Sequence, residues 1–161
     1  RFRAQEAKRR DRALVARYQN PAAHDAERAE ALRQVDEVIA TAAILPGQMF
    51  THAGALAIAA TATEVLIALE NYLTQKDTDT AYASGENVIG LKMLTTQFFN
   101  ARVAATTVVT KGAGMALGAG GNLVLATAGS RIVAWAEETI TVGATADLVR
   151  VRPATGHRLA A

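Results

Sequence analysis

Residues 100–140 read NARVAATTVVTKGAGMALGAGGNLVLATAGSRIVAWAEETI. Val, Thr and Leu dominate the apolar positions, and branched side chains favour a pleated surface over a helix. Gly112-Ala113-Gly114 and Gly118 to Gly121 break the run twice, and Ala128-Gly129-Ser130 is a further turn. Between the breaks lie short segments. Leu123-Val124-Leu125 is one, and in another Ile132, Ala134 and Ala136 alternate with Val133, Trp135 and Glu137. Short alternating segments separated by turns predict strands, and such strands in series predict a sandwich or barrel.

The same pattern extends outward. Val38 to Ile44 reads as a strand closed by Leu45-Pro46-Gly47-Gln48, with proline and glycine where a type II turn needs them. Leu56 to Ala60 and Thr63 to Glu70 are further short segments, and Tyr82 to Glu86 is a turn. Val88 to Leu94 alternates, with Val88, Gly90, Lys92 and Leu94 opposite Ile89, Leu91 and Met93. Near the end, Leu148, Val149 and Val151 alternate with Arg150 and Arg152. Residues 53–73 could instead form one amphipathic helix, but Ile58, Thr61, Thr63, Val65 and Ile67 weigh towards strand.

Charge and glycine are segregated along the chain. Residues 1–37 hold nine of the 17 Lys/Arg and seven of the 15 Asp/Glu, with no glycine; all 12 glycines fall between Gly47 and Gly156. The expected organisation is therefore a charged N-terminal arm with a short helix, residues 1–37, and a β-rich domain, residues 38–161. Within the arm, residues 1–19 carry seven basic side chains against Glu6 and Asp11. Asn20-Pro21 reads as a helix start, asparagine capping and proline in the first turn. The fold class is mainly β, a small β-sandwich or β-barrel body behind that arm. Much of its apolar content is alanine, so the core is expected to be thin and self-association to compensate.

Reactive chemistry has little to stand on, and the chain is read as a non-enzyme. It has no cysteine and two serines, Ser84 and Ser130, both in turns and neither in G-x-S-x-G. His24, His52 and His157 are far apart and form no metal-binding pair, so no metal or other cofactor is expected. Glu137 and Glu138, if on a strand, would point to opposite faces and share no site. The glycines from 112 to 121 match neither phosphate-loop spacing. No small-molecule substrate is indicated. Residues 38–63 and 112–130 lack charge over much of their length, but prolines, glycines and polar residues interrupt both, so no membrane span is expected.

In order, ILPGQMFTHAGALAIAATATEVLIALE, TAYASGENVIGLKML, residues 100–140 and ADLVRVRP resemble the capsid cement, or head decoration, proteins of tailed bacteriophages. The likeness covers residues 38–153. It rests on an early LPG turn, a Y-x-x-G-E turn at Tyr82, a glycine-introduced unit from Gly121 to Gly129, an A-x-A-x-E strand at Ala134 to Glu138, and a closing D-L-V-R-V strand at Asp147. The resemblance implies a virion protein, made in the host cytoplasm and carried on the outer capsid surface. Its partners would be the major capsid protein and itself, as a homotrimer. The arm residues Phe2, Arg3, Arg9, Arg10, Arg12, Arg17 and Tyr18 are the expected capsid or inter-subunit contacts. Two alternatives stand beside it: a membrane-associated protein using residues 112–129 as a packing helix, and a nucleic-acid-binding module led by the basic arm.

Overall fold

A computed structural model describes residues 35–57, 64–71, 74, 76–94 and 97–158, with the side chains of 155–158 excepted. The chain separates after Val35 into two units, and the described residues belong almost wholly to the second, Asp36–Ala161. The arm, its helix and its expected contact residues lie outside the described residues.

The body is mainly β, as expected, and of the two architectures it is the barrel. Eleven strands are described: β1 (Val35–Ile39), β2 (Met49–Phe50), β3 (Leu66–Ala68), β4 (Asn87–Lys92), β5 (Phe99–Val103), β6 (Val108–Val109), β7 (Gly114–Leu117), β8 (Leu123–Leu125), β9 (Arg131–Ala136), β10 (Ile140–Thr141) and β11 (Asp147–Arg158). Five of them close into a barrel in the order β11-β5-β8-β7-β9, with β9 returning to β11. All its pairs are antiparallel except β5 with β8, which meet in parallel at Val103 and Leu123. A four-stranded sheet, β1-β4-β3-β2, packs beside it, and β6 pairs β10.

Alternation along the barrel strands decides what lies inside. Phe99, Ala101 and Val103 of β5, and Val149 and Val151 of β11, are buried, whereas Asn100, Arg150 and Arg152 are exposed. A five-stranded barrel is narrow, so its interior must be filled by small side chains. Ala101, Ala134 and Ala136 are fully buried among Val103, Met115, Leu123, Val149 and Val151. The alanine content read as a thin core is here the filling that lets few strands close.

The sheet carries the second core. Ala40, Ile44, Phe50, Leu66, Ala68, Tyr82 and Val88 cluster on one side of it. Neighbouring residues on β2 and β3 point the other way, so that Met49 and Ile67 join the barrel core. This two-sided burial explains β4, where Val88, Ile89 and Gly90 are all buried instead of alternating in and out of solvent.

Two segments differ from the sequence reading. The first strand covers Val35–Ile39 rather than residues 38–44. Beyond Ala40 the chain leaves the ladder, and Ile44 instead bridges Tyr82. Residues 112–129 are β7, a short 3-10 turn (Ala119–Gly121) and β8, so the packing helix imagined there is a strand pair. Among the described residues no helix is long and apolar enough to cross a membrane.

The LPG turn is the hinge point of the fold. Gln48 N–H donates to Leu45 O at 3.0 Å, and Gly47 has φ +84, a left-handed conformation suited to glycine. A Cβ on Gly47 would overlap Leu148 Cδ2 and stand 3.2 Å from the Arg102 backbone nitrogen. Gln48 then reaches the glycine-rich loop, its Nε2 donating to Gly120 O at 2.8 Å while its Oε1 accepts Leu45 N–H at 2.7 Å. Gly121, at φ +71, lies against Met49 O so closely that any side chain there would collide with backbone. Gly121 thus serves backbone-to-backbone packing on β2.

Candidate docking surface

β11 lies between β5 and β9, and its outward residues build an arginine–aromatic face. Arg150 and Arg152 are two positions apart on one side of the strand, roughly 7 Å by strand geometry. Arg152 pairs across the ladder with Trp135, its Cζ is 5.9 Å from that ring's centroid, and its Nε donates to Glu137 Oε1 at 2.5 Å. Arg150 pairs with Asn100, and its Cζ is 5.0 Å from the centroid of Phe98, which is 57% exposed. Each cation–π contact contributes about 0.5–1 kcal/mol at an exposed site.

Beside Phe98 the surface falls into a cleft of about 490 Å³ between β3 and the start of β5. Ile67, Leu69, Leu91 and Leu148 form its apolar walls, with Glu70 and Asn100 at its polar parts. A smaller cleft of about 180 Å³ lies near Glu64, Lys92 and Arg131, and another of about 280 Å³ near Glu37, Asn71 and Glu86. The apolar cleft with an aromatic and a cation at its lip has the composition that protein interfaces favour.

Arg102 fixes the floor of this region. It is 4% exposed and points away from the barrel interior. Its Nε donates to Pro46 O at 2.9 Å, Nη1 to Ala146 O at 3.1 Å, and Nη2 to Thr78 O and to Asp79 Oδ1 at 2.8 Å. A planar fork of donors suits this task, because one guanidinium satisfies carbonyls from three separate loops. The role of Arg102 is missing from the sequence reading. Its only signal there is a lone arginine inside the apolar run Phe99 to Val103.

Other residues singled out in the sequence have structural partners. Glu138 Oε1 accepts Arg150 N–H at 2.6 Å and Glu137 holds Arg152, so both carboxylates turn to β11 rather than to opposite faces. They follow β9 instead of continuing it, which frees them from strand alternation. His52 Nδ1 is 3.5 Å from Asp36 Oδ2, and its Nε2 is 3.7 Å from Glu64 Oε2, while Lys92 Nζ is 3.5 Å from Asp36. Ser130 Oγ accepts Thr127 N–H at 3.1 Å within its turn. Among the described residues no three His, Asp or Glu side chains are grouped to hold a metal. His157 pairs Ile132 through the backbone of β11.

Glu86 and Asp77 carry depressed pKa values. Glu86 lies below its ordinary value because Ala83 N–H donates to its carboxylate at 2.7 Å and Lys76 Nζ binds it at 2.9 Å. Asp77 is lowered by the Thr80 hydroxyl at 2.7 Å and by Asp79 N–H at 3.1 Å. Both pin the loop that leads into β4.

No protein-family model matches the chain, and no curated protein matches its sequence.

Proposed function

We propose that this protein is a structural virion component that binds the outside of an icosahedral phage head and cements adjacent major capsid proteins. Its work is adhesion, performed by surfaces and repeated over many copies. The observation that carries this reading is the barrel's outer face, where Arg150 lies over Phe98 and Arg152 over Trp135, and where Phe98 also lines an open apolar cleft. Support also comes from the sequence order resembling capsid cement proteins, whose segments here fall on the LPG turn, the Tyr82 turn, β8, β9 and β11.

In this reading the body assembles as a homotrimer, and the basic arm reaches onto capsid protein or a neighbouring trimer. Each contact can be modest, on the order of 800 Å² per partner, because simultaneous engagement raises overall avidity. The full chain is mixed with expanded heads lacking it, and occupancy is followed by sedimentation. Saturable binding at a fixed ratio to the major capsid protein is expected, with reduced occupancy for the triple charge reversal Arg9→Glu, Arg10→Glu, Arg12→Glu. Absence of the chain from purified particles, or failure to bind them, overturns the proposal. Full occupancy by the reversed variant at raised salt removes the arm from it.

A further inference from the structure

The hydrogen-bond parity of β5 leaves part of a strand edge open inside the apolar cleft. Arg102 N–H donates to Gly47 O at 2.8 Å, away from β11. Arg102 and Leu148 are therefore a non-hydrogen-bonded pair, and by the two-residue period so are Asn100 and Arg150. Arg150 obeys the same rule from its own side. Its N–H goes to Glu138 and its carbonyl accepts Glu137 N–H at 2.9 Å, both away from β5. Asn100 N–H and C=O consequently point off the ladder, to the side where the residue lines the cleft. β8, the other barrel neighbour of β5, pairs only at Val103. Among the described residues no partner meets the Asn100 backbone pair.

We infer that this cleft is a strand-addition slot for an extended segment of a partner protein carrying an apolar residue beside a single carboxylate. An extended peptide supplies the acceptor and donor that Asn100 lacks, at the ~4.8 Å spacing of neighbouring strands. Its inward side chain enters walls made by Ile67, Leu69, Leu91 and Leu148. The volume of about 490 Å³ falls within the usual range for ligand clefts, about 300–1,000 Å³. Charge selects the occupant. The Arg150 guanidinium rests on Phe98 and makes no hydrogen bond among the described residues, so its donor fork faces outward for a carboxylate. Glu70 on the cleft wall opposes a second acid. Arg152 is already engaged by Glu137. A small organic acid would meet Arg150 but leave the backbone pair unused, and Glu70, Glu137 and Glu138 disfavour a polyphosphate backbone.

The slot rests on the adhesive reading above for the identity of its partner, while its geometry stands without that reading. The probe is a fluorescein-labelled eight-residue peptide of alternating threonine and leucine with one aspartate, titrated with the full chain and read by anisotropy. Saturable binding is expected. Arg150→Ala weakens it about tenfold but leaves binding of a second peptide, with asparagine in place of the aspartate, nearly unaffected, as a charge-assisted contact requires. N-methylation of one central amide also weakens it about tenfold, by removing a ladder bond. Glu70→Gln admits a peptide with two aspartates. No binding at millimolar peptide overturns the slot, as does equal binding of the methylated peptide or of Arg150→Ala. Peptide failure alongside intact particle binding overturns the slot alone, and peptide binding without particle binding supports the slot while overturning the capsid reading.

Discussion

At the scale of single residues, Arg102 carries the largest individual consequence. Its guanidinium is buried and donates to the carbonyls of Pro46, Thr78 and Ala146, so its removal takes a donor from all three at once. Arg102→Ala is expected to cost about 3–5 kcal/mol, seen as a lowered urea midpoint, because it strands buried acceptors and opens a cavity. Arg102→Lys recovers little of this, since an ammonium cannot address three loops in one plane. Thr106 has the opposite sign. It is the only described non-glycine residue with positive φ, at 59°, and a β-branched side chain is strained there. Thr106→Gly is expected to raise stability by up to about 1 kcal/mol, the relief of strain exceeding the added chain entropy. For Glu86 the folded pKa is below the unfolded one, so its contribution is present above about pH 4.3 and is lost as pH falls through the folded value. Glu86→Gln should therefore lower stability modestly at neutral pH, leave it unchanged at pH values below the folded pKa, and so flatten the acid limb of a stability–pH curve.

At the scale of elements, the legible parts of the sequence were those written in local chemistry. Pro46-Gly47, Gly85 and Gly129 mark turns because their left-handed backbones need glycine, and all three have positive φ. β9 and the first half of β11 show their alternation because one face is apolar and the other carries Arg or Trp. β1 was displaced because its outward positions, Val35, Glu37 and Ile39, mix charge with apolar groups, and the inward Asp36 joins a surface charge cluster. The parallel meeting of β5 and β8 is non-local and has no sequence signature. The docking face was half legible: Arg150 and Arg152 were visible as alternating arginines, but Phe98 and the open edge at Asn100 depend on pairing register. The arm residues chosen from charge lie outside the described residues. Element packing yields its own prediction. Ala134 is fully buried and pairs with Met115 on β7 and Pro153 on β11, inside a barrel with no room to widen. Ala134→Leu is expected to cost about 1–3 kcal/mol by overpacking, measured as a shift in denaturant midpoint with unchanged slope.

At the scale of the whole body, the question is whether two cores make one folding unit. Met49 and Ile67 enter the barrel core, while their neighbours Phe50 and Leu66 enter the second core, so β2 and β3 are a wall common to both. Arg102 ties the same wall's turn at Pro46 to the loops before β4 and β11, and Gln48 ties it to the glycine loop between β7 and β8. Losing either core therefore exposes the other's boundary, and neither face is built to be solvated. The body should unfold in one cooperative step, as single domains of this size generally do. Native-state hydrogen exchange then reports the same opening free energy at Val88, buried in the second core, and at Ala134, buried in the barrel. Met49→Ala, a truncation of a fully buried side chain on the common wall, costs about 2–5 kcal/mol and lowers both values equally. A Met49→Ala protein in which Ala134 loses protection while Val88 keeps it would show two independent units, and the common wall would then be a contact rather than a coupling.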